Sequence, residues 1–163
     1  LSIFIPKNIF RYTDVNSYPE QAISFLKTLP LSENIFNEYA WGGYLIWKIP
    51  ERKLFIDGRM PSWRKDGQFI FGDYIEIIEA REGFQKNLDK YNVKIMLLNN
   101  KTIKDSALRK QKMERNNDFI SFLRKYRWLP FLNTYSGGDI YNELINSGWQ
   151  TVYLDDVATI LKR

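Results

Sequence analysis

Apolar residues recur along this chain in two periods, and the switches between the periods outline its elements. Pro19 suits a first helical turn, Ala22, Ile23, Leu26 and Leu29 return at helical spacing, and Pro30 stops the run, so a helix is predicted there. "NIFNEYA" and "KLFIDG" read as short strands, the second bounded by Pro50 and by Gly58 with Pro61. Between them, residues 39–49 predict a short aromatic helix in which Trp41, Tyr44 and Leu45 share one side and Trp47 lies off it. Asp73 and Glu76 have the spacing of a capping box. Behind them Tyr74, Ile77, Ile78, Leu88 and Tyr91 predict one helix ending near Asn92. "VKIMLL" is a continuous apolar run of strand length, as expected of a strand buried on both faces of a parallel sheet. Another helix is predicted to open at Asp118 and to pass through Phe119, Phe122, Leu123 and Tyr126 until Pro130 breaks it. A short helix follows, capped by Asp139 and ended by Gly148. Finally, "QTVYLDDVATILKR" predicts two strands turning at Asp155-Asp156, because Asp tolerates the left-handed backbone of a tight hairpin.

Helices and strands therefore alternate. The expected fold class is α/β: a small doubly wound, mostly parallel sheet with helices on both faces and a C-terminal antiparallel hairpin. A chain of 163 residues suits one domain, taken here as residues 19–163. Residues 1–18, with Ile3-Phe4-Ile5 followed by Pro6, show no period and read as an entry segment.

Composition then narrows the chemistry. The chain has no Cys and no His, which removes thiolate metal sites and every Ser-His or Cys-His nucleophile and leaves chemistry built on carboxylates. Aromatic residues make up 16% of it, which fits a Phe- and Tyr-rich core or, alternatively, an aromatic binding platform. No uncharged apolar run approaches the roughly 18 residues that would span a bilayer. The first residue is Leu1 rather than Met, which suggests a fragment or a processed chain.

The most unusual stretch is residues 37–63, "NEYAWGGYLIWKIPERKLFIDGRMPSW", with three tryptophans, a glycine pair and an Asp-Gly-Arg. Gly42-Gly43 after the first strand and Asp57 at the end of the second occupy the places where doubly wound folds hold a phosphate and a ribose. The fingerprint G-x-G-x-x-G is absent, and the plainer reading is that the glycines let an aromatic helix pack closely. Asp57, Gly58 and Arg59 form the second candidate: Arg59 could fork onto a carboxylate or phosphate, or it could simply pair with Asp57 or Glu38. Glu38, Asp57, Asp155 and Asp156 all fall at predicted strand ends and raise a Mg²⁺ cluster as a reading, although no D-x-D spacing supports it. Charge supplies a third candidate. Between Lys101 and Arg127 nine basic side chains stand against three acidic ones, a local excess larger than the whole chain's +5. Such a run fits nucleic acid or an anionic membrane surface, but no nucleic-acid motif accompanies it, and a solvated helix face is the plainer account.

Taken together, "FNEYAWGGYLIWKIPERKLFIDGRMPSW", the Asp-Tyr of "GDY", "LDKYNVKIMLL" and "GWQTVYLDDVATILKR" resemble the soluble C-terminal domain of large bacterial and archaeal polytopic membrane proteins. These are related to the glycosyltransferases that use lipid-phosphate sugar donors, the GT-C type. The resemblance covers the chain from about Tyr18 to Arg163 and is most specific in its central segment. It implies an extramembrane domain attached to a membrane region and facing away from the cytoplasm, with residues 1–18 as the linker. It implies no catalytic residue, cofactor or metal in this chain, because the acids of such enzymes lie in loops between membrane helices. The expected partners are the transmembrane portion of the same protein and a glycan or lipid-linked sugar. Glu38, Trp41, Gly42, Gly43, Trp47, Asp57, Gly58 and Arg59 become the candidate surface patch. The rival reading is a free nucleotide-binding α/β enzyme using the Gly42-Gly43 turn and Asp57.

Overall fold

A computed structural model describes residues 18–59, 64, 65, 67–125 and 137–163. The entry segment ahead of Tyr18, the Pro61 boundary, Trp63 and the Pro130 stop lie outside the described residues. The helices are α1 (Glu20–Leu26), α2 (Gly42–Lys48), α3 (Ile70–Ile78), α4 (Phe84–Lys90), α5 (Asn100–Lys125) and α6 (Ile140–Asn146). The strands are β1 (Asn34–Asn37), the two-residue β2 (Arg64–Lys65) and β3 (Gln68–Phe69), β4 (Val93–Asn99), β5 (Gln150–Leu154) and β6 (Ala158–Lys162). A 3-10 turn, Tyr39–Trp41, leads into α2.

The main sheet has the order β1-β4-β6-β5, and β2 pairs with β3 separately. The α/β class and the C-terminal antiparallel hairpin agree with the sequence pattern. The sheet is less parallel than expected: β1 runs parallel to β4, while β4–β6 and β6–β5 are antiparallel. The reason is that "KLFIDG" does not pair as a strand, so the parallel side of the sheet ends at β1.

Strand β4 is the centre. Its period-2 alternation sends Met96 and Leu98 to one face and Ile95 and Leu97 to the other, all four fully buried. On the first face they meet Ile77 and Ile78 of α3, Leu88 of α4 and Leu144 of α6; on the second, Ala22, Ile23 and Leu26 of α1 and Leu45 of α2. Helices therefore cover both faces, as the pattern requires.

Three helix boundaries differ from the sequence pattern. The expected single helix of residues 73–92 is two, because Ala80 (φ 46°) and Gly83 (φ 85°) take left-handed backbone between α3 and α4. Asp73 is not a cap. It lies in the first turn of α3 and accepts bonds from Lys90 Nζ at 2.7 Å and the Tyr91 hydroxyl at 2.6 Å, tying α3 to the end of α4. Helix α5 starts at Asn100, directly after β4, so Asp118 falls inside it rather than opening it.

Two buried polar side chains organise the α1–β1 side. Arg52, which the sequence pattern passes over, is 5% exposed and donates to the carbonyls of Leu26, Leu29, Pro30 and Glu33 at 2.8–3.3 Å. It thereby satisfies the open carbonyls at the C-terminal end of α1. Asn37, fully buried at the end of β1, donates to the carbonyls of Glu38 (3.0 Å) and Ile56 (2.9 Å) and accepts from the backbone N–H groups of Phe55 and Ile56. One amide side chain thus does what a neighbouring strand would have done for residues 55–56. Replacing Asn37 with Ala should orphan these groups and cost roughly 2–4 kcal/mol in urea unfolding. Hydrogen exchange should show the loss of protection concentrated at the Phe55 and Ile56 amides, and a uniform loss would contradict this role.

Candidate functional site

The segment after β1 places the candidate patch. Gly42 opens α2 where the chain crosses residues 56–57, and a Cβ on it would stand 2.5 Å from Asp57 Cα and 2.8 Å from the Ile56 carbonyl oxygen. Only glycine fits. The space beside it is filled by protein, which makes Gly42 a packing glycine and leaves no approach for a pyrophosphate at that position. Gly43, by contrast, has nothing within 4 Å of its would-be Cβ.

Asp57 and Arg59 form an internal pair. The Asp57 carboxylate, almost wholly buried, accepts from Arg59 N, Nε and Nη2, each at 2.9 Å. The Arg59 side chain and backbone N–H hold the Asp57 pKa below its ordinary value. The guanidinium itself is 73% exposed, so the pair fixes the shape of the turn far more than it stabilises the fold. Tyr39 closes the turn from the other side, its hydroxyl donating to the Gly58 carbonyl at 3.3 Å. Together Tyr39, Ala40, Gly43, Ile46, Asp57, Gly58 and Arg59 line an open hollow of about 440 Å³.

The remaining members of the patch divide between interior and surface. Trp41 is 2% exposed and packs with α1, Leu45 and Ile95 in the second core. Trp47 is 70% exposed, as its position off the buried side of the helix predicts. It stands one turn beyond Gly43, edge-on to Tyr44 at 5.9 Å, with Lys48 Nζ 4.4 Å from its ring centroid. Tyr44 in turn stacks on Tyr18, and its hydroxyl bonds the Glu20 carboxylate. Trp47 does not line the Asp-Gly-Arg hollow, which α2 reaches through Gly43 and Ile46; its ring lies against Tyr44 and Lys48.

Glu38 faces the other way. Its carboxylate accepts from the Asn99 backbone N–H (3.0 Å) and, at 3.5 Å, from the Tyr74 hydroxyl, which also accepts the Tyr39 backbone N–H. Among the described residues no cation pairs with it. Burial pushes the Glu38 pKa up, and burial with the neighbouring carboxylate pushes Tyr74 up as well. Asn37, Glu38 and Tyr74 all fall in segments that the sequence pattern singles out, but their joining with Asn99 into one inward network is not legible there. The one available signal was an Asn-Glu pair at a strand end, between apolar residues.

Asp155 lies in the β5–β6 turn, where it accepts the Val157 and Ala158 backbone N–H groups and the Tyr153 hydroxyl. Among the described residues no three acidic side chains converge as a metal site would need, and Asp155 and Asp156 do not join Glu38 and Asp57.

No family model matches this chain, and no curated protein matches it in sequence. The structure does resemble a solved one, the C-terminal globular domain of the oligosaccharyltransferase of Archaeoglobus fulgidus. The two are 12% identical with a TM-score of 0.50, and the likeness covers 88% of this chain and 94% of that one. At that identity the likeness is one of fold.

Two measurements test the geometry. Gly42→Ala should cost roughly 1–3 kcal/mol through overpacking, while Gly43→Ala should be neutral or stabilising by up to about 1 kcal/mol, because it adds helix propensity into open space. Equal effects on the denaturant midpoint would contradict the asymmetry. Glu38 predicts a pH dependence. Its folded pKa is raised, so its contribution to stability is complete below the unfolded value near 4.5 and is lost as pH rises through the folded value. The stability difference between the parent chain and Glu38→Gln should therefore shift against the parent as pH rises from 4 to 8. A pH-independent difference would mean that Glu38 ionises freely.

Proposed function

We propose that this chain is the non-catalytic, extramembrane domain of an integral membrane protein of the glycosyltransferase kind. Residues 1–18 act as its linker to the membrane region and the domain faces away from the cytoplasm. Its task is positional: the hollow at Asp57-Gly58-Arg59, together with Trp47, seats a glycan, a lipid-linked substrate or a partner near the membrane portion of the same protein. The observation that carries this reading is the fold likeness to a domain that is itself the globular C-terminal part of an oligosaccharyltransferase, spanning 94% of that domain. The most specific segment of the sequence also builds the hollow. An open floor with one forked cation, together with an exposed indole, suits a sugar ring carrying an acidic group, since the aromatic face stacks on the ring and the outer edge of Arg59 can donate.

The nucleotide-binding alternative would have to use Gly43 and the hollow without Gly42, because Asp57 backbone occupies the room beside Gly42. Among the described residues no helix is long and apolar enough to cross a membrane, so attachment in this proposal rests on chain outside them.

Two results are expected. The natural full-length protein should stay with the membrane fraction after alkaline carbonate extraction, and its release as a soluble protein would sink the proposal. In a titration of the 163-residue chain with acidic oligosaccharides followed by amide chemical shifts, Gly43, Gly58 and Arg59 should move together. Trp47→Ala should weaken that binding roughly tenfold, the scale of one lost stacking contact.

A further inference from the structure

At the other edge of the main sheet, three independent features converge on strand β5. First, β5 is an edge strand that pairs only with β6, and among the described residues no backbone or side-chain group bonds its outer edge. The opposite edge, at β1, is closed by residues 55–56 through Asn37. Edge strands are usually guarded by charges, proline or bulges; β5 reads QTVYL, with neither charge nor proline, its pairing with β6 shifts at Val152 alone, and it exposes Leu154 (67%) and Val152 (38%). Second, beside Leu154 lies a mostly apolar hollow of about 230 Å³, formed with Ile103, Lys104 and Tyr141 from α5 and α6. Third, α5 carries the basic run, and in its described part Lys101, Lys104, Arg109 and Lys112 are exposed without an ion pair. Lys104 stands at the hollow itself. Lys101, Lys104, Leu108 and Lys112 follow one another at helical spacing along the exposed side of α5, over about 17 Å. Strand β5 is also about 17 Å long.

From these we infer that β5 and α5 form a docking groove for an extended acidic peptide segment of a partner protein. The segment adds as a strand to β5 by main-chain hydrogen bonds, places one apolar side chain in the hollow, and sets carboxylates against the lysines of α5. Each part of the groove selects one property of the ligand. An unpaired strand edge recognises extended backbone, and a hollow beside it recognises alternate side chains. The unneutralised lysines favour acidic residues and disfavour basic ones. A phosphate backbone or a lipid surface would use the lysines alone and leave the edge and the hollow without purpose. The groove is separate from the hollow at Asp57, so the two stand or fall independently.

The test is selection of a phage-displayed random heptapeptide library on the immobilised 163-residue chain, followed by titration of the enriched peptides. Alternating apolar and acidic residues should dominate, and on binding the amides of 150–154 should gain protection from hydrogen exchange. Val152 has no partner in the β6 register, so Val152→Pro should block strand addition without removing a ladder pair, and should weaken binding at least tenfold. Lys104→Glu should weaken it at least fivefold and should reverse the preference for acidic peptides. The circular dichroism spectrum of each variant verifies folding, and Leu154→Thr provides a second route to the hollow should either fail to fold. No enrichment, or enrichment insensitive to both Val152→Pro and Leu154→Thr, overturns the proposal. Binding of heparin or anionic vesicles that is lost in Lys104→Glu but unchanged in Val152→Pro, with no peptide selected, would make the face a polyanion surface and would also overturn it.

Discussion

The fold turns on how the C-terminal end of β1 is completed. A strand at the edge of a sheet leaves backbone groups that must find partners if they are buried. Here the Asn37 amide provides both a donor and an acceptor, and holds residues 55–56 alongside β1 without their becoming a strand. The position of Asp57 follows from that contact, and with it the tight crossing at Gly42, the start of α2 and the floor of the open hollow. Glu38, one residue on, extends the same junction to the end of β4 through the Asn99 N–H, so the two parallel strands are locked at the end where the site lies.

Much of this architecture is legible in the sequence. The apolar run of β4, the helix between Pro19 and Pro30, the Asp139 cap and the closing hairpin are strong local signals, and local signals suffice when an element is fixed by its own pattern. The misreadings share one cause. Residues 53–58 have strand composition but are held by a distant side chain, and the α3–α4 region has one continuous apolar face but is broken where Ala80 and Gly83 turn left-handed. The first depends on a partner eighteen residues away and the second on packing against Gly138, whose N–H donates to the Glu79 carbonyl. Neither dependence can be read from a window of neighbouring residues.

The candidate patch was legible in a similar, partial way. Residue type and spacing identified the segment, and the helical angle separated Trp47 from Trp41. What they could not say is that three of its members serve the interior. Trp41 is core, Gly42 is the crossing point, and Glu38 looks inward to Tyr74 and Asn99. A motif dense in unusual residues therefore mixes two kinds of constraint: Gly43, Trp47, Gly58 and Arg59 lie at the surface, while Asp57 is buried beneath its bonds to Arg59.

Arg52 has a further consequence. Its charge is set against carbonyl dipoles rather than against a bonded carboxylate, so protonating the acids of the protein does not remove its acceptors. Salt likewise screens an enclosed contact of this kind much less than an exposed ion pair. The exposed ion pairs of the domain, Asp73 to Lys90, Asp89 to Arg163 and Glu20 to Lys48, are of the other sort. Salt should consequently weaken those surface pairs while leaving the Arg52 contact at the end of α1 in place.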